Sequence, residues 1–169
     1  RRAAVPVLFE LRRVMFLSDF WIVNVQFAVY LTVLNTFDAV EGSLLASYGY
    51  KEALSSWTGV SFCIGSIISS VIESVVITHA EHYRGVLLGT NTLLAVTLLL
   101  GLACLRCHLP SWCFVVLVGI MGFCAPGWGC SLELGSEVCY PARESTVTSL
   151  LEAFGSVTSV VGIVMAQRF

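Results

Sequence analysis

Residues 130–156 read CSLELGSEVCYPARESTVTSLLEAFGS, the one place where several carboxylates punctuate an otherwise apolar, glycine-rich sequence. Glu133 and Glu137 stand four residues apart, so on a helix they share a face. Pro141 cannot donate to a helical ladder and pushes Tyr140 out of the α region, which ends that helix. Arg143 and Glu144 then make a short charged turn. A second apolar helix begins at about Ser145, with Glu152 inside it. What surrounds these two helices is decided by the composition of the whole chain.

Of 169 residues, 57% are hydrophobic and only 12% charged, with a mean hydropathy of +0.87. Soluble domains carry about 25% charged residues. A soluble fold with this composition would lack polar residues to cover its surface, so the class is membrane protein and the first partner is the lipid bilayer. The net charge of -2 says nothing about partners, and basic residues neither cluster nor interleave with aromatics, so no nucleic acid is expected. The seven cysteines fall mostly within apolar runs and read as small hydrophobes, not as a disulfide framework.

A spanning helix needs roughly 20 apolar residues. Working outward from the quoted stretch, spans are expected at 112–138 and 146–167, and before them at 14–45, 56–78 and 85–105. Pro126 and Gly127 predict a helix break within the fourth. The first is long, and Asp19, Asn24, Asn35, Asp38 and Glu41 interrupt it, which predicts a tilted or broken helix. Residues 1–13 form a basic segment. Arg1, Arg2, Arg12, Arg13, Arg84 and Arg143 fall on one side of this arrangement, and Lys51, Arg106 and Arg168 on the other. The bias puts the first set, with the N-terminus, in the cytoplasm. The expected location is the plasma membrane, not an organelle. Five spans are odd in number, and the sequence reads as a piece of a longer chain.

Charge in the hydrocarbon costs about 2.5–3.5 kcal/mol per group on insertion scales, so each such residue asks for a reason. Asn35, Asp38 and Glu41 recur every three residues. They line a cavity that attracts a cation or proton, or else they are solvated beyond the membrane's edge. Glu152 lies deeper and is a candidate for binding or for pairing with Arg143. Trp128, just after the break, can offer a cation–π face or simply fill space. Glu133 and Glu137 read as carboxylates steadying helix ends, and Glu73 as an interfacial group. Cys104-Leu105-Arg106-Cys107-His108 fits the c-type haem signature, but the loop leaves no room for a haem pocket. No cofactor and no metal are expected. The three histidines (79, 82 and 108) divide between opposite faces, which speaks against an enzyme.

The run Glu133-x-x-x-Glu137-x-x-Tyr140-Pro141-x-x-Glu144, followed by Ser149-Leu150-Leu151, resembles the feline leukaemia virus subgroup C receptor-related family, solute carrier family 49 of the major facilitator superfamily. Ser145 stands where the family has glycine. The resemblance implies an all-α polytopic membrane protein in which these spans are helices seven to eleven of twelve, with the N-terminal half missing. It further implies alternating-access transport of a small organic solute, with choline, ethanolamine and haem as the family's candidates. Asn35 falls where the family has an aromatic residue and Ser156 where it has glutamine, so the cation–aromatic box is not carried over. Ile77-Thr78-His79 replaces the superfamily's usual glycine- and aspartate-containing loop. The expected substrate cavity comprises Asn35, Asp38, Glu41, Trp128, Glu152 and Ser156. The expected cytoplasmic gate comprises Glu133, Glu137, Tyr140, Pro141, Arg143 and Glu144. The rival reading is a receptor or scaffold bundle that transports nothing.

Overall fold

The structure, a computed structural model, describes residues 7–50, 52–80, 83–107 and 109–168. Seven helices follow one another: α1 (Val7–Met15), α2 (Ser18–Ser47), α3 (Glu52–Ala80), α4 (Tyr83–Arg106), α5 (Ser111–Cys124), α6 (Gly127–Val138) and α7 (Glu144–Ala166). Among the described residues there is no strand. Among the described residues, five stretches are long and apolar enough to cross a membrane: Ser18–Ser47, Ala53–Val76, Gly85–Arg106, Ser111–Val138 and Glu144–Ala166. The protein is therefore an all-helical, membrane-embedded chain, its fourth span built from α5 and α6 in series.

Three local features depart from the sequence reading. The first span is not broken at its polar residues, since α2 runs without interruption from Ser18 to Ser47. In hydrocarbon a helix cannot surrender backbone hydrogen bonds, whereas a polar side chain can be satisfied sideways. The break lies earlier, at Phe16 and Leu17, where the chain leaves α1. Residues 7–15 of the expected basic segment are accordingly helical, and Val14 on α1 is completely buried. The expected loop at 79–84 is shorter: α3 continues to Ala80 and α4 starts at Tyr83. Glu81, His82, Lys51, His108 and residues 1–6, which carry Arg1 and Arg2, lie outside the described residues.

The chain divides into two compact units, one of residues up to Thr36 and from Trp128 onward, the other Phe37–Gly127. In the first, Val14, Phe20, Val23, Phe27, Cys139, Val147 and Leu151 form the core. Small residues on α7 let α2 approach closely. A methyl group added at Gly155 would stand 2.8 Å from Leu31 Cδ2, and one at Gly162 would stand 2.6 Å from Thr32 Cγ2. On α6, Gly135 does the same for Leu151, at 2.7 Å from its Cδ1.

The second unit packs around Leu45, Leu54, Leu105, Phe114 and Val118. Here α3 crosses α5 backbone to backbone. A Cβ on Gly65 would collide with the Gly119 carbonyl, and one on Gly122 with the Phe62 carbonyl. Ser61 Oγ donates to the Val115 carbonyl at 2.9 Å across the same crossing. Such small-residue contacts replace the hydrophobic effect, which does little between helices in lipid. Gly49, at φ 79°, turns the chain between α2 and α3. Tyr50 caps the unit by donating its hydroxyl to the Leu109 carbonyl at 2.9 Å.

Candidate functional site

Pro126 supplies no backbone N–H, so α5 ends at Cys124 and α6 restarts at Gly127. The restart puts Trp128 in the first turn of α6, about 15 Å from that helix's far end at Val138. On α7, Glu152 lies about 12 Å from the first residue, Glu144. Were the hydrocarbon edge at those helix ends, both positions would fall near the middle of a core about 30 Å thick. The two side chains meet: Trp128 Nε1 donates to Glu152 Oε1 at 3.1 Å. Glu152 is half-buried, and the indole remains 44% exposed. The arrangement joins a carboxyl group to an open aromatic face, two elements suited to an organic cation.

A polar seam continues along α7 in the same unit. Thr32 Oγ1 donates to Thr158 Oγ1 at 3.0 Å, and Asn35 Nδ2 donates to Ser159 Oγ at 3.2 Å. Ser156 follows Glu152 by one turn and is exposed. Ser131 Oγ on α6 donates to Gln26 Oε1 at 3.3 Å. Buried in the same stretch of α2, Asn24 Oδ1, Gln26 Nε2 and Thr36 Oγ1 have no hydrogen-bonding partner among the described residues.

The expected cavity is thus brought together in part. Trp128 touches Glu152, and Asn35 is tied to α7. Asp38 and Glu41 belong to the second unit, where Asp38 is exposed and Glu41 is buried beside Thr58. Along the three positions Asn35 and Asp38 are exposed and Glu41 is buried.

The expected gate is open to its surroundings. Glu133, Glu137, Pro141 and Glu144 are exposed, as is Tyr140 at 83%. Among the described residues none of the three carboxylates forms an ion pair. Glu144 sits in the first turn of α7, where the helix dipole favours an acid. Arg143 pairs neither with Glu152 nor with its chain neighbour: its Nε lies 3.4 Å from Glu10 Oε1. Thr146 Oγ1 donates to the other oxygen of Glu10 at 3.5 Å. Glu10, on α1, was missed by sequence reasoning because nothing local marks it; its partners lie some 130 residues away along the chain.

Two further features were not legible in the pattern. One is a cavity of about 180 Å³ in the second unit, walled by Phe37, Leu44, Gly101, Leu105, Phe114 and Met121 among others, almost wholly apolar. The other is the burial of Glu73, near the end of its span, at 8% exposed. The haem-like cysteines are unpaired, Cys107 exposed and Cys104 half-buried. Among the described residues no group of histidine, cysteine and acidic side chains has the arrangement to hold a metal.

Compared with known proteins, the chain matches no family model and no solved structure. It is 25% identical over 132 residues to protein B0416.5 of Caenorhabditis elegans, which is described as uncharacterized. That match takes in 75% of this chain and 25% of the relative, so the chain spans about a quarter of the relative's length.

Proposed function

We propose that the chain is the helix seven-to-eleven portion of a major-facilitator transporter that moves a small organic cation of the choline or ethanolamine kind. The supporting observation is the Trp128–Glu152 pair, set well inside two apolar spans. One carboxylate oxygen accepts a hydrogen bond from the indole N–H, which fixes the acid's orientation. Its negative charge then remains for a ligand, and the exposed ring face beside it suits an alkylated ammonium. A charge held this deep costs too much to be carried by a passive anchor. Haem fits this site less well, because its carboxylates would face Glu152.

Substrate sites in such transporters lie near the bilayer midplane where interrupted helices meet, and the α5–α6 break stands directly before Trp128. The motif around Glu137 and Tyr140-Pro141 adds the resemblance to solute carrier family 49. Asn35 and Ser156 extend the cavity along α7. Glu133, Glu137 and Glu144 act at a cytoplasmic gate, with the N-terminus on that side of the plasma membrane. The remaining helices are supplied by a longer chain.

The test is uptake of radiolabelled choline and ethanolamine by cells expressing the complete chain. Glu152→Gln and Trp128→Ala each lower uptake by roughly tenfold or more, the value of about 1.4 kcal/mol of lost contact, with surface expression unchanged. Full flux in both variants, or no flux above background in the unaltered chain, overturns the reading; the latter favours the receptor or scaffold alternative.

A further inference from the structure

The second unit holds a buried acid that the proposed transport site does not use. Glu73 is 8% exposed, and its Oε1 has no hydrogen-bonding partner among the described residues. One turn earlier on α3, Ser69 lies beside it, completely buried, and its hydroxyl is likewise without a partner. From α5 the group that faces Glu73 is Cys124, the last residue of that helix and also completely buried. A helix C-terminus carries partial negative charge, and α5 stops there because of Pro126. Two oxygens without a hydrogen-bonding partner therefore lie on the apolar span Ala53–Val76 within electrostatic reach of the end of α5. Left alone, such a group of acceptors is costly. One positive ion of small radius offsets all three.

We propose that Glu73 and Ser69, at the C-terminal end of α5, form a binding site for a dehydrated alkali cation, with sodium as the ion to test. Oxygen ligands suit a hard cation, and carboxylate, hydroxyl and interrupted-helix ends are the groups that hold sodium in secondary transporters. The rival occupant is a proton shared between the Glu73 carboxyl and the adjacent Ser69 hydroxyl. Read with the proposed transport, such a site would let a sodium gradient drive the solute, and that extension rests on the transport reading; the ion site itself does not.

Thermal unfolding of the complete chain, purified in detergent, separates the two. At fixed pH and ionic strength, sodium chloride is titrated against N-methylglucamine chloride. A saturable rise in Tm is expected, following the logarithmic dependence of ligand-linked stability. It disappears in Glu73→Gln and in Ser69→Ala, two changes of nearly constant shape. Direct binding of radioactive sodium to the unaltered protein serves as a second readout should either variant fail to fold. A Tm indifferent to sodium, a rise that persists in both variants, or a response to pH alone overturns the site. Sodium binding without tracer flux leaves the site standing and sinks the transport reading.

Discussion

At the scale of single residues, the contacts that matter most are ones that local sequence cannot announce. Arg143 was legible as a turn residue, but its partner was not, because Glu10 lies on another helix far away in the chain. The same holds for Trp128 and Glu152, 24 residues apart. Their types and depth could be read in advance; their contact depends on how α6 and α7 pack. The Arg143–Glu10 pair is half open, with side-chain exposures of 54% and 12%, so its net worth is small. A double-mutant cycle with Glu10→Ala and Arg143→Ala, read by unfolding of the purified complete chain, should give a coupling of about 0.2–1 kcal/mol. It should shrink at high salt. A coupling several times larger would mean that the α1–α7 contact is more deeply desolvated than these exposures indicate.

At the scale of helices, the five spans were visible because length and hydropathy alone decide them. The bends were visible too, wherever proline removes a donor. Of the tilted or broken helix expected for the first span, the broken form is absent for a physical reason: polar side chains interrupt hydropathy without interrupting hydrogen bonding, and Asn35 is satisfied by Ser159. Which glycines serve a crossing and which are incidental was likewise hidden, since this depends on the facing helix. Gly122 and Gly59 make the contrast testable. Gly122 faces the Phe62 backbone, whereas nothing stands within 4 Å of a Cβ on Gly59. Gly122→Val should cost about 1–3 kcal/mol through overpacking. Gly59→Ala should be neutral or stabilise by up to about 1 kcal/mol through helix propensity. Equal effects in a melting comparison would refute the backbone-to-backbone crossing of α3 and α5.

At the scale of the whole molecule, the alternation of spans gives each loop a side. Cys107 is exposed just past the end of α4, whereas Cys139, in the turn between α6 and α7, is 1% exposed. Burial pushes the Cys139 thiol pKa up, and the nearby Asp19 carboxylate adds to this. Less thiolate is therefore present at neutral pH, and reaction should quicken as pH rises toward that raised value. Cys63 is exposed but lies within the apolar span of α3. With the proposed orientation, a membrane-impermeant maleimide applied to intact cells should label Cys107 and neither Cys63 nor Cys139. Labelling of Cys107 only after permeabilisation would reverse the topology.

Most of the span of α3 is left uncovered by the rest of the chain, with Ile64, Ile67, Ile68, Val71 and Val75 all exposed. Such a surface has to be oily, and little else is asked of it. Leucine, isoleucine, valine and phenylalanine are nearly interchangeable there, so selection acts on few positions and the sequence is free to drift. A fold of this kind keeps its shape long after its lineage has ceased to be readable by identity. The positions that resist drift should be the close-approach glycines, such as Gly65, Gly122 and Gly155, and not the apolar residues that fill most of the chain.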